Sequence, residues 1–129
     1  MLHENVTRRI ITAATKIHTA LGAGLLESAY HACLEYEFNV CGLHYQHQLR
    51  QPVVYREVQL ETAYRIDFLV ENCVVVEIKA VEKLLPLHTA QLLSYLKLSG
   101  RKVGLLINFN VPHLRQGIRR VINGPASEL

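Results

Sequence analysis

Val6, Ile10, Ala13, Ala14, Ile17 and Leu21 recur at three- and four-residue spacing, the period of a helix with one apolar stripe. Asn5 is placed to cap this helix, and Gly22 and Gly24 end it. A second helix is expected from about Leu26 to Val40, burying Ala29, Cys33, Leu34 and Phe38, with Gly42 as its C-terminal cap. The texture then changes to short β-rich runs: Tyr45 to Tyr55, Val58 to Glu61, Tyr64 to Val70 and Cys73 to Ile78. These read as antiparallel strands joined by tight turns. After Pro86 a third helix runs from about His88 to Ser99 and closes at Gly100, and Val103 to Phe109 follows as a buried strand. Pro112 is expected to open a last helix. The order α-α-β-β-β-α-β-α argues an α/β (α+β) fold with a mixed central sheet flanked by helices.

The chain has 129 residues, half of them apolar, enough for one domain over 1–129 with its own core. Three cysteines, Cys33, Cys41 and Cys73, cannot all pair, and in apolar surroundings each reads as a reduced, buried thiol. Residues 1–9 lack the apolar run of a signal peptide, and no stretch approaches the roughly 20 apolar residues of a membrane span. A soluble, cytoplasmic protein is expected. The formal net charge is +3, but its distribution is more informative. Between Lys83 and Arg120 the chain carries Lys83, Lys97, Arg101, Lys102, Arg115, Arg119 and Arg120 with no acidic residue, a set suited to a polyanion and equally consistent with a solvated basic face.

Asp67, the sole aspartate, interrupts the apolar run from Ile66 to Val70, and Glu77 and Lys79 interrupt a second run from Val74 to Ala80. Burying an unpaired carboxylate costs several kcal/mol, so these groups must be paired, solvated or bound to a cation. Glu77 and Lys79 share one strand face. If Glu71, Asn72 and Cys73 form a three-residue hairpin loop, Val70 lies opposite Val74 and Asp67 opposite Glu77. A two-residue loop would move Asp67 to the wrong face. In the three-residue register Ile66, Phe68, Val70, Val74, Val76 and Ile78 form an uninterrupted apolar face. Two adjacent carboxylates suit a hard divalent cation such as Mg²⁺, or Mn²⁺, with Lys79 beside them to position or stabilise charge. An ordinary ionic cluster of the same three residues is the competing explanation.

Two further patterns accompany this set. Gln91 and Tyr95 share a face of the third helix. Gly24, Glu27 and Tyr30 form a Gly-x-x-Glu-x-x-Tyr pattern, in which Glu27 by itself reads as a first-turn acid favoured by the helix dipole. His44 and His47, three apart near a strand, do not share a face, so a zinc site is not expected there. His88 could approach the cleft, though nothing in the sequence requires it.

These motifs resemble the GxxExxY proteins, a small prokaryotic branch of the PD-(D/E)XK nuclease superfamily. The resemblance runs from about Ile10 to Ile122. It rests on Gly-Ala-Gly-Leu-Leu-Glu-Ser-Ala-Tyr at positions 22 to 30, Tyr-Arg-Ile-Asp at 64 to 67, Val-Glu-Ile-Lys-Ala-Val-Glu-Lys at 76 to 83, Gln-Leu-Leu-Ser-Tyr-Leu-Lys at 91 to 97 and Gly-Leu-Leu-Ile-Asn-Phe at 104 to 109. It implies a restriction-endonuclease-like core, with Asp67 and Glu77 as metal ligands and Lys79 as the catalytic lysine. Glu27 would be a further acidic ligand, and Gln91 and Tyr95 an accessory pair. Ile66 stands where the superfamily name has proline. The implied activity is phosphodiester hydrolysis of DNA, or of RNA, with Mg²⁺ or Mn²⁺. The alternative is a catalytically silent module that keeps the fold and binds nucleic acid or a partner. So small a chain has little surface for reading bases, so weak specificity, a homodimer or a protein partner is expected.

Overall fold

The computed structural model describes residues 1–125, apart from the side chains of Thr62 and Ala63; residues 126–129 of the expected domain lie outside the described part. Its elements are α1 (Glu4–Leu21), α2 (Glu27–Cys41), β1 (Tyr45–Tyr55), β2 (Val58–Val70), β3 (Val74–Lys79), α3 (Pro86–Ser99), β4 (Val103–Asn108), a 3-10 turn (Leu114–Gly117) and β5 (Ile118–Ile122). The strands form one sheet in the order β1-β2-β3-β4-β5. All neighbours are antiparallel except β3 and β4, which run parallel because α3 carries the chain across between them.

The helices take opposite faces. On one, Ile10, Ala13, Ala14 and Ile17 of α1 and Tyr30, Leu34 and Phe38 of α2 cover Phe68, Val76, Ile78, Leu105 and Ile107. On the other, Leu92, Tyr95 and Leu96 of α3 cover Ile66, Leu69, Val75, Leu106 and Val121. With helices on both sides, β3 and β4 are buried almost throughout, as their continuous apolar runs require. The expected mixed sheet flanked by helices is therefore present.

The β2–β3 hairpin has the register that the carboxylate argument requires. Glu71 and Asn72 adopt positive φ (50° and 54°), Cys73 N–H donates to the Val70 carbonyl at 3.1 Å, and Val70 faces Val74. Phe68, Val70, Val74, Val76 and Ile78 share the face under α1 and α2, but Ile66 does not: it joins the cluster under α3. The pairing of β1 with β2 passes from His47/Phe68 to Leu49/Ile66 around Gln48, whose φ is 56°.

Other departures have equally local causes. Glu4 begins α1 and His3 is its N-cap, so Asn5 lies in the first turn instead of capping it, and Leu21 is exposed at the far end. In α2 the buried stripe is Tyr30, Leu34 and Phe38 at four-residue spacing, leaving Ala29 and Cys33 only half-buried, and Cys41 is exposed. The two runs Val58–Glu61 and Tyr64–Val70 are one long strand. The last helix is absent. Pro112 instead leads into the 3-10 turn, and the β-branched run of β5 pairs antiparallel with β4, Ile107 facing Ile118 and Val103 facing Ile122. An edge row of unpaired N–H and C=O groups on β4 is satisfied by this strand, a non-local demand that outweighs local helical signals.

Gly117 makes that return possible. A Cβ at this position would stand 2.1 Å from the backbone oxygen of Asn108, which has no room to yield. Gly117→Ala is therefore expected to destabilise the fold by about 2 kcal/mol or more. Gly104→Ala, whose Cβ would meet the side chain of buried Leu92 at 3.0–3.1 Å and no backbone, should cost distinctly less. Urea unfolding of the two variants checks the order, and equal losses would count against a backbone collision at Gly117.

Candidate active site

The β2–β3 ladder closes at Phe68/Val76, and the next connections are made by side chains. Asp67 N–H donates to Glu77 Oε2 at 2.7 Å, and Ile78 N–H donates to Asp67 Oδ2 at 2.8 Å. Each carboxylate thus takes a backbone N–H from the opposite strand, a charge-assisted bond that offsets part of its desolvation. Asp67 and Glu77 are brought together, as the register anticipates.

Burial, first, and then the Asp67 charge push the Glu77 carboxyl from its ordinary 4.5 up to about 8; the Asp67 N–H bond and the Lys79 charge oppose this. Without a cation, this pair keeps a proton near neutral pH. A divalent ion can replace that proton, so the donor set fits the metal that such a carboxylate pair implies. Lys79, at the end of β3, acts on Glu77 through its charge, without a direct ion pair. The loop beyond it is held by Asn108, fully buried, whose Oδ1 accepts from Val81 N–H at 3.0 Å and from Asn110 N–H at 3.2 Å while Nδ2 donates to the Val81 carbonyl at 2.9 Å.

Glu27 arrives from the other side. Gly24 turns at φ 98°, a backbone region in which side chains are rarely accommodated. The buried Tyr30 then ties this turn down: its hydroxyl donates to the Gly22 carbonyl at 2.8 Å, accepts from Leu25 N–H at 3.2 Å, and its ring stacks on Phe109 at 4.3 Å. The glycine and tyrosine of the Gly-x-x-Glu-x-x-Tyr pattern therefore fix the start of α2, where Glu27 sits. One turn later His31, buried, places Nε2 at 3.6 Å from Glu27 Oε2 and 3.6 Å from Asp67 Oδ2. Ligand atoms of Glu27, His31 and Asp67 all lie within 4.8 Å of one another; Glu77 touches this group through Asp67 without belonging to it.

His31 was not singled out from the sequence, although its four-residue spacing from Glu27 puts both on one helix face. His47, expected to be merely structural or exposed, is half-buried against His31, ring nitrogens 2.9 Å apart. His44 is exposed and takes no part in this cluster. A cleft of about 280 Å³ opens over these groups between Glu27, His31, Glu35, His47 and Gln48.

Gln91 and Tyr95 do share a face of α3, and with Tyr64, His88 and Lys97 they line a second groove of about 620 Å³. Burial, then the Glu77 and Asp67 charges, push the Tyr95 hydroxyl up to about 12, so it remains a proton donor. His88 Nδ1 accepts from Leu85 N–H at 3.0 Å and serves the start of α3. The basic set is divided. Lys83, Lys97, Lys102, Arg115 and Arg119 are exposed, Arg119 while donating to the Gln116 and Ile118 carbonyls; Arg101 donates to Asn72 and Ser99 and Arg120 to the Leu2 carbonyl. Arg101 and Lys102 precede β4, whose first residue faces Val74; they lie at the end of the sheet away from Lys79.

The proton held by Glu77 gives a testable pH dependence. Its folded pKa lies above its unfolded value, so the native state binds the proton more tightly; the stabilisation is complete below 4.5 and is lost as pH rises through about 8. In chelating buffer, stability should fall by about 2–4 kcal/mol across that interval. Glu77→Gln, which imitates the protonated form, should flatten the dependence and be the more stable protein at the alkaline end. Denaturant unfolding at both ends of the interval checks this. A variant strongly destabilised at every pH would instead mark Glu77 as a needed partner for Lys79.

The chain's sequence matches the family model of the PD-(D/E)XK nuclease superfamily over residues 4–121. The fold is similar to that in the crystal structure of SSO0001, with a TM-score of 0.57 and 18% sequence identity; the alignment covers 98% of this chain and 62% of that one. A search of curated proteins gives no match. The matched span takes in every element from α1 into β5, and on it the chain belongs to the PD-(D/E)XK nuclease superfamily.

Proposed function

We propose that this chain, as one domain over 1–129, is a metal-dependent nuclease of the GxxExxY branch that hydrolyses phosphodiester bonds in nucleic acid, DNA foremost. The observation that carries this reading is the reciprocal Asp67/Glu77 pair between β2 and β3, with Lys79 two residues on and Glu27 converging from α2. The five motifs in their family order support the branch assignment.

Asp67, Glu77 and Glu27 are the residues that would hold the ion. When bound, Mg²⁺ or Mn²⁺ supplies an acidified water and neutralises charge on the scissile phosphate. The chain's own groups do the rest. Lys79 offers a positive charge beside the pair, where it can stabilise developing negative charge on phosphate oxygens. Asn108 holds the backbone after Lys79, so the lysine starts from a fixed point. Tyr95 presents a protonated hydroxyl and Gln91 an amide on α3, both able to contact a phosphate or sugar. Of the basic residues, Lys83, Lys97 and Arg115 are exposed and available to backbone phosphates, while Arg119, also exposed, donates to the Gln116 and Ile118 carbonyls. Arg101, Lys102 and Arg120 contribute long-range positive potential. Among the described residues no helix is long and apolar enough to cross a membrane, and a cytoplasmic substrate suits the reduced cysteines.

Incubating the purified chain with single- and double-stranded DNA and RNA in Mg²⁺ or Mn²⁺ tests the reading. Cleavage is expected, falling by about 100-fold or more in Asp67→Asn, Glu77→Gln and Lys79→Ala with the fold retained by circular dichroism. Binding should weaken steeply with salt. Joint charge reversal at Lys97 and Arg115 should weaken it further without unfolding, leaving Arg119 and Arg120 intact because both donate to backbone carbonyls. Binding without cleavage in any metal would instead favour a silent nucleic-acid-binding module.

A further inference from the structure

We propose that His31 is a nitrogen ligand of this centre, with His47 and Glu35 as the relay that orients its ring, so that the chain takes a first-row transition ion such as Mn²⁺ in preference to Mg²⁺. This rests on the metal-dependent reading above and extends it to a residue outside the carboxylate set.

Glu35 Oε2 lies 3.5 Å from His47 Nδ1, and its other oxygen accepts from the Tyr45 hydroxyl at 3.3 Å. An ionised carboxylate only accepts, so it favours the proton on His47 Nδ1 and leaves Nε2 as a lone pair. His47 Nε2 lies 2.9 Å from His31 Nδ1, which must therefore be the donor. In the neutral imidazole that a metal ligand must be, His31 Nε2 is then a lone pair as well. It faces Glu27 Oε2 and Asp67 Oδ2, each at 3.6 Å and each an acceptor.

The ligand atoms of Glu27, His31 and Asp67 thus converge within 4.8 Å of one another, and the histidine among them has a side chain only 8% exposed. The 3.6 Å separations are long for N–H···O bonds. Adjacent ligands around one ion with bonds of about 2.1 Å stand roughly 3.0–3.4 Å apart, so a small contraction onto a cation closes the group. The ring is also held from its flanks: His31 stacks on Phe68 at 5.5 Å, and His47 on the same Phe68 at 4.6 Å. A carboxylate that fixes the far nitrogen of a ligating histidine is the usual outer support of a metal site; here a second histidine stands between them. One imidazole beside two carboxylates shifts preference from a purely oxygen-seeking ion toward transition ions.

Pulsed electron paramagnetic resonance on the full chain loaded with Mn²⁺, without nucleic acid, tests the assignment directly. A directly bound imidazole nitrogen should modulate the spin echo, and His31→Gln should abolish that modulation. Calorimetry should show Mn²⁺ binding at least about tenfold tighter than Mg²⁺, with the gap narrowed in His31→Gln. His47→Ala should lower Mn²⁺ affinity by about 10–100-fold and shift the nitrogen coupling while the modulation persists. Mn²⁺ binding with no nitrogen modulation in the wild type would overturn the role of His31 and leave the carboxylate centre standing. No binding of either ion would overturn the metal-dependent reading itself.

Discussion

Two backbone N–H groups and two carboxylates, exchanged across the end of the β2–β3 ladder, organise this molecule. An antiparallel pair ordinarily closes each rung with main-chain oxygens. Here Asp67 and Glu77 take over the accepting role, so ionisable groups remain between apolar strands without being left unsatisfied. The arrangement serves stability and chemistry at once, because the hydrogen bonds that tolerate the charges also aim them. It leaves a residual strain, visible as the proton that Glu77 retains. Groups perturbed in this way by burial and a like charge cluster at functional sites, and structural ion-pair networks show them too.

The rest of the fold can be read as support for that junction. The helices α1 and α2 cover one face and bring Glu27 and His31 over Asp67, while α3 covers the other and brings Tyr95 toward Glu77. Two openings flank the sheet, a polar cleft beside α2 and a more apolar groove beside α3, the first lined by Glu27 and His31 and the second by Gln91 and Tyr95.

How much of this was legible depended on the range of the interactions. The register placing Asp67 against Glu77 follows from a period of two and a three-residue turn, both local, and it was readable. So were β1, α3 and the αL glycines Gly42 and Gly100, since cap and strand signals lie within a few residues. Ile66 defeated the alternation: it joins the cluster under α3 although Phe68, two residues on, joins the one under α1 and α2. His31 lay within reach of the Glu27 spacing, but its target, Asp67, is 36 positions away and its orienting partner, His47, is on β1. The segment after Pro112 carries respectable helix signals, and only the open edge of β4 explains why it becomes a strand. Tyr30 looked like part of a ligand motif and proves to be the fastening of the turn before α2.

The close approach of Gly117 to the Asn108 oxygen has a reach beyond the edge strand. Asn108 holds Val81 by both its amide atoms, and Val81 lies just beyond Lys79. The position of the lysine is therefore set from behind, by a stack of three backbone segments whose outermost member lies nearly forty residues later in the chain. Shortening or loosening the C-terminal strand would blur the aim of a side chain it never touches, which makes that strand part of the tool as well as part of the frame.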